Sequence, residues 1–486
     1  MNLHPLLGDN YLLAIMPELV LCGGGMLLIL FDAFAPRLKG ALGPLALIIF
    51  LGAAWSENLY KEAAHFFGGT YEISPITRLF DLTFLLAGML AILFARDYLD
   101  REGIEGGEFY ALISWGTVGM MMMAKGLDLL IVILGLEILS VCIFILVGYH
   151  RRLSVSNEAS LKYFLMGAFA TGFILYGAAL FYGATQSTNV GMMAHWFAQN
   201  QATPLLTVAF VLMMSGFGFK LALAPFHPWA PDVYQGAPTP VAGWLSVAPK
   251  AATLIALVRL FDAMEPMLPK VNWMNMVAAL AVLSMIVGNA VAIVQRDLKR
   301  MLAYSGIAHV GYMTIAMLTV RDDSVAAVSV YAITYALMNI GAFGVVSLLI
   351  KNQNDPQTLD DIAGLGFRRK FYGFALALCM FSLSGLPPTA GFISKFYIFK
   401  TAVESGHTTV AVIGILTSIV SVYYYLRVVY YLYMKEPAEG HVVAAEGGVF
   451  AVGALMIAMV GILWIGIYPG PLFNAAGYAA RVLLQQ

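Results

Sequence analysis

Apolar runs of about twenty residues recur from one end of this chain to the other. A bilayer offers backbone groups no water. Only helices and closed barrels satisfy their own hydrogen bonds there, and a helical span needs about 20 mostly apolar residues. Fourteen such spans can be read, at approximately 11–31, 41–56, 76–95, 108–124, 128–149, 159–182, 204–225, 239–261, 272–294, 301–319, 325–350, 371–399, 408–433 and 447–468. The second and fourth are short; the twelfth is long and interrupted. Of the 486 residues 60% are hydrophobic and 11% charged, against about 25% charged in a soluble domain. The fold class is therefore an all-α polytopic membrane protein of about 14 transmembrane helices. The longest polar connections, 57–75, 183–203, 351–370 and 434–446, are too short for a soluble domain. Residues 1–486 read as a single integral membrane domain. With no basic n-region and no A-x-A site, the first span is expected not to be a cleaved signal peptide.

Loop charge sets orientation. The connections after odd-numbered spans carry 14 Lys and Arg; those after even-numbered spans, with the termini, carry 7 when Arg259 at the end of the eighth span is counted with them. The bias puts both termini outside and Arg296-Asp297-Leu298-Lys299-Arg300 in the cytoplasm. No long basic run occurs, so nothing points to nucleic acid.

Two spans carry helix breakers at their centres. The seventh reads LMMSGFGFKLALAPFHPWAPDVYQGAPTPV, with Gly216 and Gly218 before Lys220 and Pro225, Pro228 and Pro231 after it. The twelfth reads FSLSGLPPTAGFISKFYIF, with Gly385, Pro387, Pro388 and Gly391 before Lys395. Proline removes a backbone donor and clashes with the preceding turn. Unwound backbone at that depth is tolerated only inside protein or beside a wet cavity. A pair of broken spans in corresponding halves points to a transporter's midplane site. The two lie five spans apart, so they run in opposite directions. That fits an inverted repeat: a three-helix segment at 1–107, a first five-helix repeat at 108–262, a second at 272–433, and the last helix and tail at 434–486. In this register Glu137 falls opposite a position near His309.

Four lysines lie in apolar spans, Lys162, Lys220, Lys250 and Lys395, with one deeply placed acid, Glu137. A lysine at the bilayer centre costs about 3 kcal/mol on insertion scales. Lysine can release a proton when buried, whereas arginine effectively never does. Lysines with a carboxylate partner therefore suggest a proton or ion path. Lys162 is close to a span end, and snorkelling to the headgroups competes with a relay role. His309 reads equally as a packing histidine or a proton carrier. Glu18 and Asp81 read as helix-end residues, and Tyr423-Tyr424-Tyr425 beside Arg427 as an interfacial belt.

Cys22, Cys142 and Cys379 stand alone, without a CxxC; the eight histidines show no HxxxH spacing; and no GxGxxG opens a helix after a strand. No cofactor or metal site is expected in this chain. Gly23-Gly24-Gly25 reads as a close helix contact.

The segments GFGFKLALAPFHPWAPDVYQGAPTPV, RDLKRMLAYSGIAHVGY and LSGLPPTAGFISKFYIF resemble the antiporter-like membrane subunits of respiratory complex I. Subunits of multisubunit cation/proton antiporters and membrane-bound hydrogenases share the family. The resemblance spans roughly 108–433. Lys395, Lys250, the spellings PDVYQGAPTPV and SLKYFLMGA, and the short C-terminus favour the N-type branch over M-type and L-type relatives. The resemblance implies that Glu137 and Lys220 form a switching pair, that Lys250 and Lys395 pass the proton on, and that Lys162 assists uptake. It implies a proton-translocating role in NADH:quinone oxidoreductase. FMN, iron–sulfur clusters, NADH and quinone would be bound by other polypeptides, and other membrane subunits and the bilayer would be the partners. A subunit of a cation/proton antiporter is the alternative, and a passive anchor a third reading.

Overall fold

The computed structural model describes residues 9–60, 62–265, 267, 273–319, 321–350, 357–437 and 444–484. Parts of two expected polar connections, 351–356 and 438–443, and the expected start of the ninth span at 272 lie outside the described residues.

Helices fill the expected spans. Among the described residues twelve helical stretches are long and apolar enough to cross a membrane, from Met16–Phe34 to Val449–Ile467. Gly107–Lys125 forms the fourth span, and the broken pair Lys370–Ser384 and Ala390–Glu404 forms the twelfth. Local chemistry sets several starts. Asp128 caps Leu129–Val147 by accepting from the Leu130 N–H at 2.9 Å. Asp297 caps Leu298–Ile315 through the Arg300 N–H at 2.8 Å. Ser74 and Thr77 make a capping box ahead of Pro75–Glu102. Each satisfies donors that a helix N-terminus otherwise leaves free.

The two breaks are built alike. Pro204–Leu221 ends at Ala222, in the left-handed region at φ 59°. Leu223 N–H donates to the Gly218 carbonyl at 2.8 Å, and Ala222 N–H to Phe219 at 3.0 Å. Lys370–Ser384 ends at Gly385, φ 86°. Leu386 N–H donates to Phe381 at 3.1 Å, and Gly385 N–H to Ser382 at 3.0 Å. Both carry the 6→1 bond of a Schellman ending. Glycine takes that conformation freely; Ala222 takes it against its Cβ. A short helix, Trp229–Gly236, follows the first break.

The eighth span is interrupted too, which its sequence did not suggest. Thr239–Leu245 and Ala248–Met264 meet at Ser246 and Val247, where Pro249 has no N–H to continue the ladder. Asn339, on Asp322–Ser347, steadies the joint by donating to Ser246 Oγ at 2.6 Å.

Thr239–Met264, Leu298–Leu318 and Asp322–Ser347 are almost wholly buried and form the middle of the molecule. Met16–Phe34 and Thr408–Tyr433 lie outside and expose leucines, isoleucines and valines, the surface a lipid-facing helix must present. Two small antiparallel pairs close the connections: Ala64–Phe66 with Tyr71–Ile73, and Leu349–Ile350 with Ala444–Ala445. The expected C-terminal tail is a helix, Gly470–Leu484, which packs Ala476, Ala479, Ala480 and Leu483 inward.

Candidate functional site

Three of the four expected lysines are buried: Lys220 is 8% exposed, Lys250 2% and Lys395 5%. Each meets a different set of partners.

Lys220 occupies the last turn of Pro204–Leu221, where the helix ends at the break. Free carbonyls there carry the negative end of the helix dipole, which favours a cation. Its Nζ donates to Ser140 Oγ at 2.8 Å and lies 5.8 Å from the centre of the Phe144 ring. Ser140 stands three residues beyond Glu137 on Leu129–Val147, on the same helix face. Glu137 accepts from Thr171 Oγ1 at 2.7 Å. The expected acid thus lies one helical turn from the serine that holds the expected lysine.

Lys250 follows the interruption of the eighth span. Its Nζ has no hydrogen-bond partner among the described residues, and neither have Tyr234 Oη and Tyr335 Oη. The Tyr234 ring centre lies 5.7 Å away. Gly306 leaves room for this cluster: a Cβ there would stand 3.1 Å from Lys250 Nζ and 2.9 Å from Tyr335 Oη.

His309 is 1% exposed and bonded at both ring nitrogens. Nδ1 pairs with Tyr331 Oη at 2.7 Å and Nε2 with Tyr425 Oη at 3.0 Å. The Tyr335 ring centre stands 4.9 Å and the Tyr312 ring centre 5.8 Å from the imidazole, and Lys395 Nζ lies 5.5 Å from the Tyr312 ring centre. A neutral imidazole donates at one nitrogen and accepts at the other, so the two tyrosines play opposite parts.

Lys395 lies on the second half of the broken twelfth span and reaches back to the first. Its Nζ donates to the carbonyls of Leu383 and Ser384, at 2.8 and 3.1 Å, and to Ser418 Oγ at 3.0 Å. Those carbonyls belong to the last turn before the break, which has no continuing ladder to use them. Lys395 thus sets its ammonium against the carbonyl end of a half-helix, whereas Lys220 sits in the last turn of one and turns to Ser140. A pocket of about 590 Å³ opens beside Lys395, lined also by Gly385, Phe396 and Ser418.

Lys162 stands apart. Its side chain is 44% exposed and pairs with Glu158 at 2.6 Å and Asp232 at 3.2 Å. Asp232 also accepts from Arg300 at 2.6 Å, joining the sixth span to the tenth.

Two readings need correction. Tyr424 and Tyr425 are fully buried and only Tyr423 faces outward. Tyr425 serves His309, and Tyr424 donates to Asn289 Oδ1 at 2.9 Å. They face the core because helix Thr408–Tyr433 packs on Trp273–Val294 and Leu298–Ile315. Lys125, which loop counting had placed in a connection, closes the helix Gly107–Lys125 and draws in Glu18 and Asp81, both near helix starts as they read. The signal missed at Lys125 was its place at the end of an apolar helix opposite three acids from other spans. Among the described residues no three His, Cys, Asp or Glu side chains are placed to hold a metal. The three cysteines stand apart, so the donor set does not fit a cluster.

Broken spans, buried ammonium groups and a doubly bonded histidine define an antiporter-like membrane subunit. The chain belongs to the NADH:quinone oxidoreductase/Mrp antiporter transmembrane family, whose family model matches residues 126–421. It is 42% identical to the NADH-quinone oxidoreductase subunit N of Trichlorobacter lovleyi, over 96% of this chain and 97% of that one. It is 39% identical to subunit N 1 of Solibacter usitatus, over 99% and 100%. Among solved structures it resembles a chain of respiratory complex I from Thermus thermophilus with bound aureothin, at 34% identity and TM-score 0.80, covering 96% and 99%. A chain of the Mrp complex from Dietzia sp., at 17% identity and TM-score 0.81, shares the fold.

Proposed function

We propose that this chain is the N-type membrane subunit of a bacterial NADH:quinone oxidoreductase, and that it carries protons across the membrane while other subunits carry out the redox chemistry. The observation that carries the reading is the row of buried protonatable groups, Lys220, Lys250, His309 and Lys395, running between the two broken spans. A passive anchor would not retain three buried lysines, each an expense in a low-dielectric interior.

The two repeats, 108–262 and 272–433, are related by inversion, and the matching Schellman endings at Ala222 and Gly385 support that relation. Glu137 and Lys220 work as a pair. While the carboxylate stays close, the ammonium holds its proton; when the carboxylate is neutralised or turns away, the desolvated lysine gives it up. Ser140 Oγ is the first acceptor Lys220 meets. Lys250, Tyr234 and Tyr335 offer unpaired polar atoms side by side, the setting in which water can bridge buried groups. His309 takes a proton at one nitrogen and releases one at the other between Tyr331 and Tyr425. Lys395 receives it and faces the pocket. Lys162, held with Asp232 and Arg300 at the far end, assists uptake.

The chain lies in the cytoplasmic membrane with both termini on the periplasmic side, as its loop charge requires. Its partners are homologous antiporter-like subunits and small membrane subunits. NADH, FMN, iron–sulfur clusters and quinone are bound elsewhere in the complex.

Purification of the tagged chain from membranes tests the assignment. Co-purification with an NADH-oxidising, quinone-reducing complex is expected. Recovery in a complex that exchanges sodium for protons without quinone reduction would assign it to the antiporter branch instead.

A further inference from the structure

Three helices of the N-terminal segment and the first helix of the repeat that follows come together at one place. Glu18 opens Met16–Phe34, Glu57 closes Leu42–Ser56, Asp81 lies near the start of Pro75–Glu102, and Lys125 closes Gly107–Lys125. The alternation of the helices puts all four on the membrane side where the first span begins. Lys125 Nζ lies 2.7 Å from Asp81 Oδ2, 2.8 Å from Glu18 Oε1 and 3.6 Å from Glu57 Oε1. Burial is nearly complete: Asp81 is 0% exposed, Lys125 1%, Glu18 6% and Glu57 9%. The hairpin 64–73 covers the cluster, and Tyr71 Oη donates to Glu18 Oε1 at 2.6 Å. Burial holds the Tyr71 phenol well above its ordinary titration range, so it stays a donor.

Charge and hydrogen bonding do not close with every acid ionised. Three carboxyls face Lys125. Among the described residues the other cation near them, Arg78, is half-buried and gives its hydrogen bond to the Tyr60 carbonyl. Asp81 Oδ1, Glu18 Oε2 and Glu57 Oε1 are buried and accept no hydrogen bond from the described residues. Carboxylates crowded into one dry site do not all ionise; one keeps a proton, and the set titrates as a unit. The ammonium of Lys125 already fills the centre that a metal cation would need.

We propose that Glu18, Glu57, Asp81 and Lys125 form a second proton-binding site, separate from the Glu137–Lys395 row, in which the three carboxyls share an exchangeable proton. The ligand is the proton itself. The site exchanges it with the aqueous phase on the side where the first span begins, under the 64–73 hairpin. Asp81, the most buried of the three, is its main holder.

Infrared difference spectroscopy of the intact complex in membranes, titrated in pH, reads the site directly. A protonated-carboxyl carbonyl band is expected around neutral pH in the parent and lost in Asp81→Asn. Glu57→Gln, at the cluster's edge, removes one negative neighbour, so the band should disappear at lower pH than in the parent. That variant carries the test if Asp81→Asn reduces assembly. Unchanged spectra in either assembled variant would overturn the proposal. Loss of the parent band on adding sodium would overturn it in favour of a monovalent-cation site. The band is read without turnover, so its failure is separate from failure of the transport reading.

Discussion

Replacing Ser140 by alanine tests whether Lys220 depends on the contact that the sequence did not suggest. The Ser140 hydroxyl donates to its own helix, at Leu136 O, at 2.6 Å and accepts from Lys220 Nζ at 2.8 Å. The first bond fixes the hydroxyl so that its lone pairs face the lysine. Alanine removes one oxygen from a buried position and opens little space, so folding should be spared. The lysine loses a charge-assisted hydrogen bond worth about 1.5–3 kcal/mol. If that stabilises the proton-carrying state on the transport route, coupled turnover should fall roughly ten- to hundredfold, at one decade per about 1.4 kcal/mol. Ser140→Thr keeps the hydroxyl and should recover most of the rate. Ser114→Ala is the control, since among the described residues Ser114 Oγ bonds only Tyr110 O, within its own helix. NADH-driven quinone reduction and proton uptake into vesicles, normalised to assembled complex, are the assay. Parent rates in Ser140→Ala, or equal losses in Ser140→Ala and Ser114→Ala, would refute the reasoning.

Glu137→Gln and Lys220→Ala should each lower coupled turnover strongly, and the double variant should cost much less than the sum; additive losses in a double-mutant cycle would dissolve the pair. Gly306→Ala brings a methyl to 3.1 Å from Lys250 Nζ and 2.9 Å from Tyr335 Oη, so turnover should drop several-fold with assembly intact, and an unchanged rate would free Lys250 from that packing. Lys395→Glu faces the carbonyls of Leu383 and Ser384, which only accept and so suit a protonated carboxyl but not a carboxylate. Its residual activity should therefore be highest at acid pH and fall as pH rises, while Lys395→Leu stays low throughout. A leucine variant as active as the glutamate variant would remove Lys395 from the relay.

Hydrophobic spacing carried most of the architecture into the sequence, because a span's length is fixed by the bilayer and breakers at its centre stand out. The endings at Ala222 and Gly385 fall where Gly216, Gly218, Pro225 and Gly385, Pro387, Pro388 announced them. Lys220, Lys250 and Lys395 were legible for the same reason: a charge inside an apolar run has few places to go. What was not legible depends on which helices meet. Lys125 and Glu18 are 107 residues apart, and neither sits deep enough in its own span to draw notice. Ser140, Thr171 and Ser418 are ordinary hydroxyl residues until a lysine or acid arrives from another helix. Tyr424 and Tyr425 had the composition of an interfacial belt, and only the packing of Thr408–Tyr433 turned them inward. Lys162 reads as close to a span end and able to snorkel, and Glu158 and Asp232 hold it at the surface.

The claim that protons cross along Lys220, Lys250, His309 and Lys395 is tested most directly at Lys220. The measurement is quinone reductase turnover and proton translocation by reconstituted complex carrying Lys220→Ala, with assembly checked on native gels. The account predicts that both fall together in fully assembled complex. Parent turnover with parent pumping would contradict it.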